Sequence, residues 1–87
     1  MANNNSRAPR KDSLMVDPVL RPGWITGLER LPEPGEEVYC TQGQAQVVKL
    51  LGKTAGSGRL IELKLADQRS PFFAAASNIL VPPTKQL

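Results

Sequence analysis

The sequence predicts an all-β fold, a small antiparallel barrel behind a disordered basic N-terminal tail. Three observations predict it. Between Gly35 and Pro83, short apolar runs are broken at close spacing by polar or Gly-rich turns, the rhythm of a strongly bent sheet. Within that stretch Ile61, Leu63 and Leu65 alternate with Glu62 and Lys64, the period-2 pattern of a half-solvated antiparallel strand. The chain has 87 residues, room for one small domain and none for a separate substrate domain. A folding unit of about 50–65 residues buries only about 60% of its unfolded surface, so its core is marginal.

Residues 1–13 (MANNNSRAPRKDS) are Asn-rich, polar and basic. Their apolar surface is too small to offset the entropy of ordering, so disorder is expected. Residues 14–34 read as an extended strap or linker. Pro18 argues against a helix or a central strand in LMVDPVL. Trp24, Ile25, Leu28 and Leu31 have roughly helical spacing, but Pro22, Gly23 and Gly27 oppose a helix. A strap lying across the barrel is the equal alternative. Pro32 and Pro34 then stiffen the approach to the first strand.

The barrel is expected over residues 35–83, with about five strands. The first spans 36–41, Val38 and Cys40 on one face and Glu37, Tyr39 and Thr41 on the other. Gln42-Gly43 supplies a bend. The second spans 44–51; its adjacent pairs Val47-Val48 and Leu50-Leu51 imply burial on both faces or a bulge partway. Residues 52–58 (GKTAGSG) read as a flexible hairpin loop. The third strand spans 59–66, followed by a polar turn at 67–70. The fourth begins at Pro71 and carries the adjacent Phe72 and Phe73, which must face opposite sides; Phe73 is expected in the core. One 3₁₀ turn near 75–78 precedes a short last strand at 79–81. Pro82 and Pro83 end the ladder, and residues 84–87 form a C-terminal tail. A long pair of strands, a short strand, a 3₁₀ turn and a last short strand fit the SH3-like barrel.

Eleven basic against eight acidic residues give a formal charge of +3. Arg7, Arg10 and Lys11 precede the first acid, Asp12. From Pro32 onward six basic residues face five acidic ones, so the barrel is nearly neutral and the tail carries the excess. Such a tail either aids solubility or steers the chain toward acidic partners. One cysteine and no histidine exclude an internal disulfide and a Cys/His zinc site. The N-terminus lacks an apolar signal core. No window approaches the ~20 apolar residues of a spanning helix. A cytoplasmic protein with no direct membrane insertion is expected.

Catalytic groupings are not evident. Ser57, Ser70 and Ser77 lack a partner base, Cys40 points inward, and Glu36 and Glu37 point opposite ways. Gly52-Lys53-Thr54 is not a phosphate-binding loop, because Val47 stands where that motif needs glycine and a strand follows where it needs a helix. No enzyme activity, cofactor or metal is expected. The candidate partner-binding residues are Trp24, Tyr39, Lys53, Arg59 and Phe72, with Arg7, Arg10 and Lys11 as electrostatic steering. Tyr39 is expected on an outward face near Lys49 and Lys64, where it could stack on a base. Trp24 is either a lid on the barrel or an exposed anchor for a partner.

The segments G-E-E-V-x-C-x-x-G-x-A-x-V-V-x-L-L-G-K, R-L-I-E-L-K-L-A-D and F-F-A-A-A-S-N-I-L-V resemble a Tudor- or SH3-like barrel. Within that group they resemble the RNA-polymerase-interacting domain of the CarD and transcription-repair coupling factor families. Gly35, Val38, Gly43, Val47, Leu50, Leu63, Ala66, Asp67 and Asn78 fall in comparable places. The H-G-x-G turn of those families is replaced by Gln42-Gly43-Gln44-Ala45, and the helical DNA-binding part of CarD has no counterpart. The plan is also similar to KOW barrels and to small accessory subunits of photosynthetic electron-transfer complexes. These resemblances imply a non-catalytic interaction module or accessory subunit docking on a larger complex, with RNA polymerase or a photosynthetic electron-transfer complex as possible partners. The alternative is a nucleic-acid-binding barrel of transcription or translation.

Overall fold

The computed structural model describes residues 15–54 and 58–84, with Lys53 and Thr54 described by their backbone. The basic residues Arg7, Arg10 and Lys11 lie outside the described residues. The elements in order are a 3₁₀ turn at Pro18–Leu20, β1 (Ile25–Thr26), β2 (Glu37–Cys40), β3 (Gly43–Thr54), β4 (Gly58–Leu65), β5 (Phe72–Ala75), a second 3₁₀ turn at Ala76–Asn78, and β6 (Leu80–Val81). The described strands form one antiparallel sheet in the order β1-β6-β2-β3-β4-β5. The chain is all-β, and its 3₁₀ turn falls between the last two strands as the sequence predicts.

Among the described residues six strands stand where about five are expected. The additional one is β1, in the strap. Ile25 pairs with Val81 and Thr26 with Leu80, so the strap contributes these two residues to the sheet. Helical spacing misleads here because of a turn just before it. Trp24 N–H donates to the Arg21 carbonyl at 3.0 Å, closing Arg21-Pro22-Gly23-Trp24 with Gly23 at φ 86°. Pro at the second position and a positive-φ Gly at the third define a type II turn. Earlier in the strap, the Asp17 side chain accepts the Val19 N–H at 3.0 Å, capping the 3₁₀ turn that Pro18 opens.

The β2–β3 hairpin pairs Cys40 directly with Gly43, leaving Thr41 and Gln42 as its two-residue connection. Along β3 the register slips twice. Val47 faces Leu63 but Lys49 faces Glu62, and Leu50 faces Ile61 but Lys53 faces Arg59. Each slip inserts one residue, a β-bulge that bends the strand and strengthens its twist. Val47 is buried and Val48 is 42% exposed, and the first bulge sets Lys49, opposite Glu62, on the same outer side as Val48. At the second, the Leu51 carbonyl accepts the Arg59 Nε–H at 2.6 Å, a side-chain donor where the ladder is interrupted. The predicted loop at 52–58 is corrected by the same register. β3 runs on through Gly52 to Thr54, and the connection contracts to residues 55–57, which lie outside the described residues.

The bends curl the sheet into a barrel. β1 and β4 are separated by β6, β2 and β3 in the sheet order, about 19 Å in a flat sheet. Yet a Cβ placed on Gly58, at the start of β4, would lie 2.6 Å from Cδ2 of Leu28, just past β1. The second 3₁₀ turn fills the closure and packs on both β4 and β1. Gly27 N–H bonds the Ile79 carbonyl at 3.3 Å, and a Cβ on Gly27 would come within 2.7 Å of the Ala76 carbonyl oxygen. Only glycine permits that approach. Val38, Cys40, Val47, Ile61, Leu63, Leu65, Ile79 and Val81 form the buried core inside.

Candidate functional site

The outer surface divides into a covered end and an open end. At the covered end the strap crosses β2. The Arg21 guanidinium stacks over the Tyr39 ring at 4.1 Å and reaches the Trp24 ring at 5.8 Å, a cation–π arrangement strengthened by partial desolvation. Arg21 Nη1 also donates to the Leu20 carbonyl at 2.7 Å. Tyr39 is therefore only 4% exposed. It does point away from Val38 and Cys40, but the strap covers that side, so it is no stacking platform. Trp24 is partly buried under the same cation.

A second clasp lies beside it. Glu36 is 6% exposed. Its carboxylate accepts from both terminal nitrogens of Arg30 and from the Glu33 backbone N–H at 3.1 Å. Arg30 Nε–H donates to the Pro82 carbonyl at 2.9 Å. One ion pair thus ties the strap, the start of β2 and the end of β6. Bidentate guanidinium–carboxylate geometry makes this a strong charge-assisted contact. Sequence reasoning missed it, because Arg30 and Glu36 lie on different elements whose meeting depends on β1 joining the sheet.

At the open end the chain places Phe73. Leu63 pairs with Phe72 and Glu62 with Phe73. Cross-strand partners share a face, so Phe72 follows Leu63 onto the core while Phe73 follows Glu62 outward. The expectation that Phe73 is the core ring is thereby reversed: Phe73 is 48% exposed and Phe72 packs against the core. Phe72 is accordingly not available as an exposed anchor. Lys49, Glu62 and Phe73 form one row across β3, β4 and β5, with the Lys49 ammonium 4.0 Å from Glu62. A shallow depression beside that row is lined by Val48, Glu62, Lys64, Arg69 and Pro71 among others. Among the described residues neither Lys64 nor Arg69 has an ion-pair partner.

Of the remaining sequence candidates, Arg59 is committed to the Leu51 carbonyl, and Lys53 lies at the end of β3 opposite it. An open groove on the outer face of β2–β4 is lined by Glu37, Gln44, Gln46 and Lys64. Its amides are already engaged, Gln44 with Glu37 at 3.0 Å and Gln46 with the Gly35 carbonyl at 3.2 Å. Cys40 is fully buried and donates to the Gly43 carbonyl at 3.3 Å. Burial raises its thiol above the ordinary 9.0, against smaller lowering contributions from the backbone at Gln42 and Gly43. A neutral, enclosed thiol is a poor nucleophile. Among the described residues no helix is long and apolar enough to cross a membrane. No family model, no curated protein and no solved structure matches this chain.

Proposed function

We propose that this protein is a non-catalytic docking module that attaches to a larger protein complex through the open end of its sheet. The observation that carries the reading is β5. It ends the strand order, and β4 is the only strand paired with it among the described residues. Phe73 projects from it into solvent. An unpaired strand edge offers backbone donors and acceptors to an incoming strand, and an exposed ring beside it supplies an apolar anchor. The strand contains no charge or proline and its register with β4 is continuous, so shortness is the one common edge protection it has. The resemblance to the polymerase-interacting domain makes RNA polymerase one candidate for the larger complex, and a photosynthetic electron-transfer complex another.

The nucleic-acid reading shifts its ground from Tyr39 to Phe73, whose cross-strand partner Glu62 lines one depression with Lys64 and Arg69. Phe73 is the one exposed aromatic ring among the described residues, whereas a nucleic-acid strand is held by successive bases stacked on several rings, which favours protein docking. The test is capture from native extract with and without nuclease. A stoichiometric complex that survives nuclease supports docking. A nuclease-sensitive catch that weakens steeply with salt supports nucleic-acid binding. Monodisperse protein that captures nothing overturns both.

A further inference from the structure

We infer that the partner contributes an extended acidic segment, which pairs with β5 as a seventh strand and sets an apolar side chain against Phe73 and a carboxylate over Lys64 and Arg69. This deepens the docking reading and rests on it. Among the described residues Glu62 is the one carboxylate lining the depression, and Lys49 faces it at 4.0 Å. Lys64 and Arg69 line the same depression without an ion-pair partner among the described residues. Asp67, in the turn between them, pairs with neither and does not line the depression, so the uncompensated charge within it is positive. That sign disfavours two occupants. The basic N-terminal segment with Arg7, Arg10 and Lys11 would be repelled, and a second copy would bring the same two cations to its own face. An acidic partner is attracted, and charge complementarity of this kind sets specificity and register.

The register specifies the pattern. Leu63 pairs with Phe72 and Glu62 with Phe73, so Lys64 continues the outer face two residues from Glu62, toward the Pro71 end of β5. Along an added strand, outward positions also recur every second residue. An apolar residue beside Phe73 then places the next outward residue, two positions away, near Lys64 and Arg69. The segment expected is apolar-x-acidic in one strand direction and acidic-x-apolar in the other. Its backbone bonds the β5 edge irrespective of sequence; the two outward side chains supply the selection.

The test uses the full chain, isotopically labelled, titrated with the peptide acetyl-Thr-Glu-Thr-Phe-Thr-Glu-Thr-amide, which presents the pattern in both strand directions. Expected are saturable shifts at the backbone amides of Phe72–Ala75 and at the Phe73 ring. Replacing both glutamates by lysine, N-methylating alternate peptide bonds, or introducing Lys64→Glu with Arg69→Glu into the protein should each weaken binding by roughly tenfold or more. No shifts at millimolar peptide, shifts confined to the Trp24 region or the Glu37 groove, equal binding of the lysine peptide, or tighter binding of oligothymidylate would each overturn the inference. A Phe73→Ser variant separates its failure from that of the docking reading. If wild type and variant capture the same stoichiometric partner from native extract, docking stands and this face is wrong. If neither captures one, the docking reading falls and takes the face with it.

Discussion

The two ends of this sheet are treated in opposite ways. At one end β1 is only two residues long, yet it is bound in by the Arg30–Glu36–Pro82 clasp, the Arg21–Tyr39 stack and the second 3₁₀ turn. At the other end β5 has four residues, and its outward ring is left in solvent. A small domain has few long-range polar contacts to distribute. Here they gather where the strap closes the barrel. The open end is held by its β4 pairing and by the inward side of β5. Stability and recognition are thus assigned to different ends, and substitutions should separate them.

The largest effect is expected at the clasp. Glu36→Ala leaves the Arg30 guanidinium without its carboxylate and should cost about 3 kcal/mol, since breaking a buried pair strands a charge. Glu37→Ala, one residue away but solvent-facing, should cost less than about 0.5 kcal/mol. Urea denaturation of both variants checks the contrast, and equal midpoints would show that the clasp does not hold the fold. Next come the adjacent phenylalanines. Phe72→Ala should destabilise by about 2 kcal/mol, below the full core cost because the ring is only partly buried. Phe73→Ala should stay within about 0.5 kcal/mol of wild type while losing the docking partner. Similar losses of stability would erase the distinction between the faces.

Arg21→Ala should cost about 1 kcal/mol through lost cation–π contact and packing over Tyr39. Its clearest readout is a stronger photo-CIDNP signal from the Tyr39 ring, which reports access of a dye to that ring. An unchanged signal would mean that the strap does not cover Tyr39. The smallest effect is a pH dependence. The Cys40 thiol is raised above 9.0 by burial, so the folded state favours its protonated form. The stability it contributes is full below the unfolded chain's thiol value and is lost as pH rises through the folded value. Above about pH 9 the wild type should therefore lose stability more steeply than Cys40→Ala. Parallel slopes in thermal melts would show that the thiol's surroundings do not differ between folded and unfolded chains.

How far the sequence could be read differs by element. Ile61, Leu63 and Leu65 are buried while Lys64 is exposed, as alternation requires. The turn at Gly43 and the 3₁₀ turn before the last strand were also legible, since each depends on local residue chemistry; the pairs Val47-Val48 and Leu50-Leu51 signalled either a bulge or burial on both faces, and the register decides for bulges. The faces of Phe72 and Phe73 were not. Adjacent rings announce that one must be exposed, but which one depends on pairing to β4 across a turn whose length no local pattern specifies. Tyr39 fails for another reason. Its position on the outward side of β2 was read correctly, but its burial comes from Arg21, far away in sequence and brought there by the strap. Arg30 and Glu36 gave only the signal of ordinary surface charges.

By itself the sequence determined an all-β chain, the approximate strands and turns, the inward positions of β4 and the enclosure of its single cysteine. These follow from side-chain alternation and from the backbone freedom or restriction of Gly and Pro, which act over a few residues. Only the tertiary structure decided that the strap supplies a strand, that Tyr39 and Glu36 are covered, that the predicted Gly-rich loop is mostly strand, and that Phe73 is the ring left outside. Each depends on strand register and barrel closure, where residues distant in the chain meet and a shift of one residue exchanges the two faces.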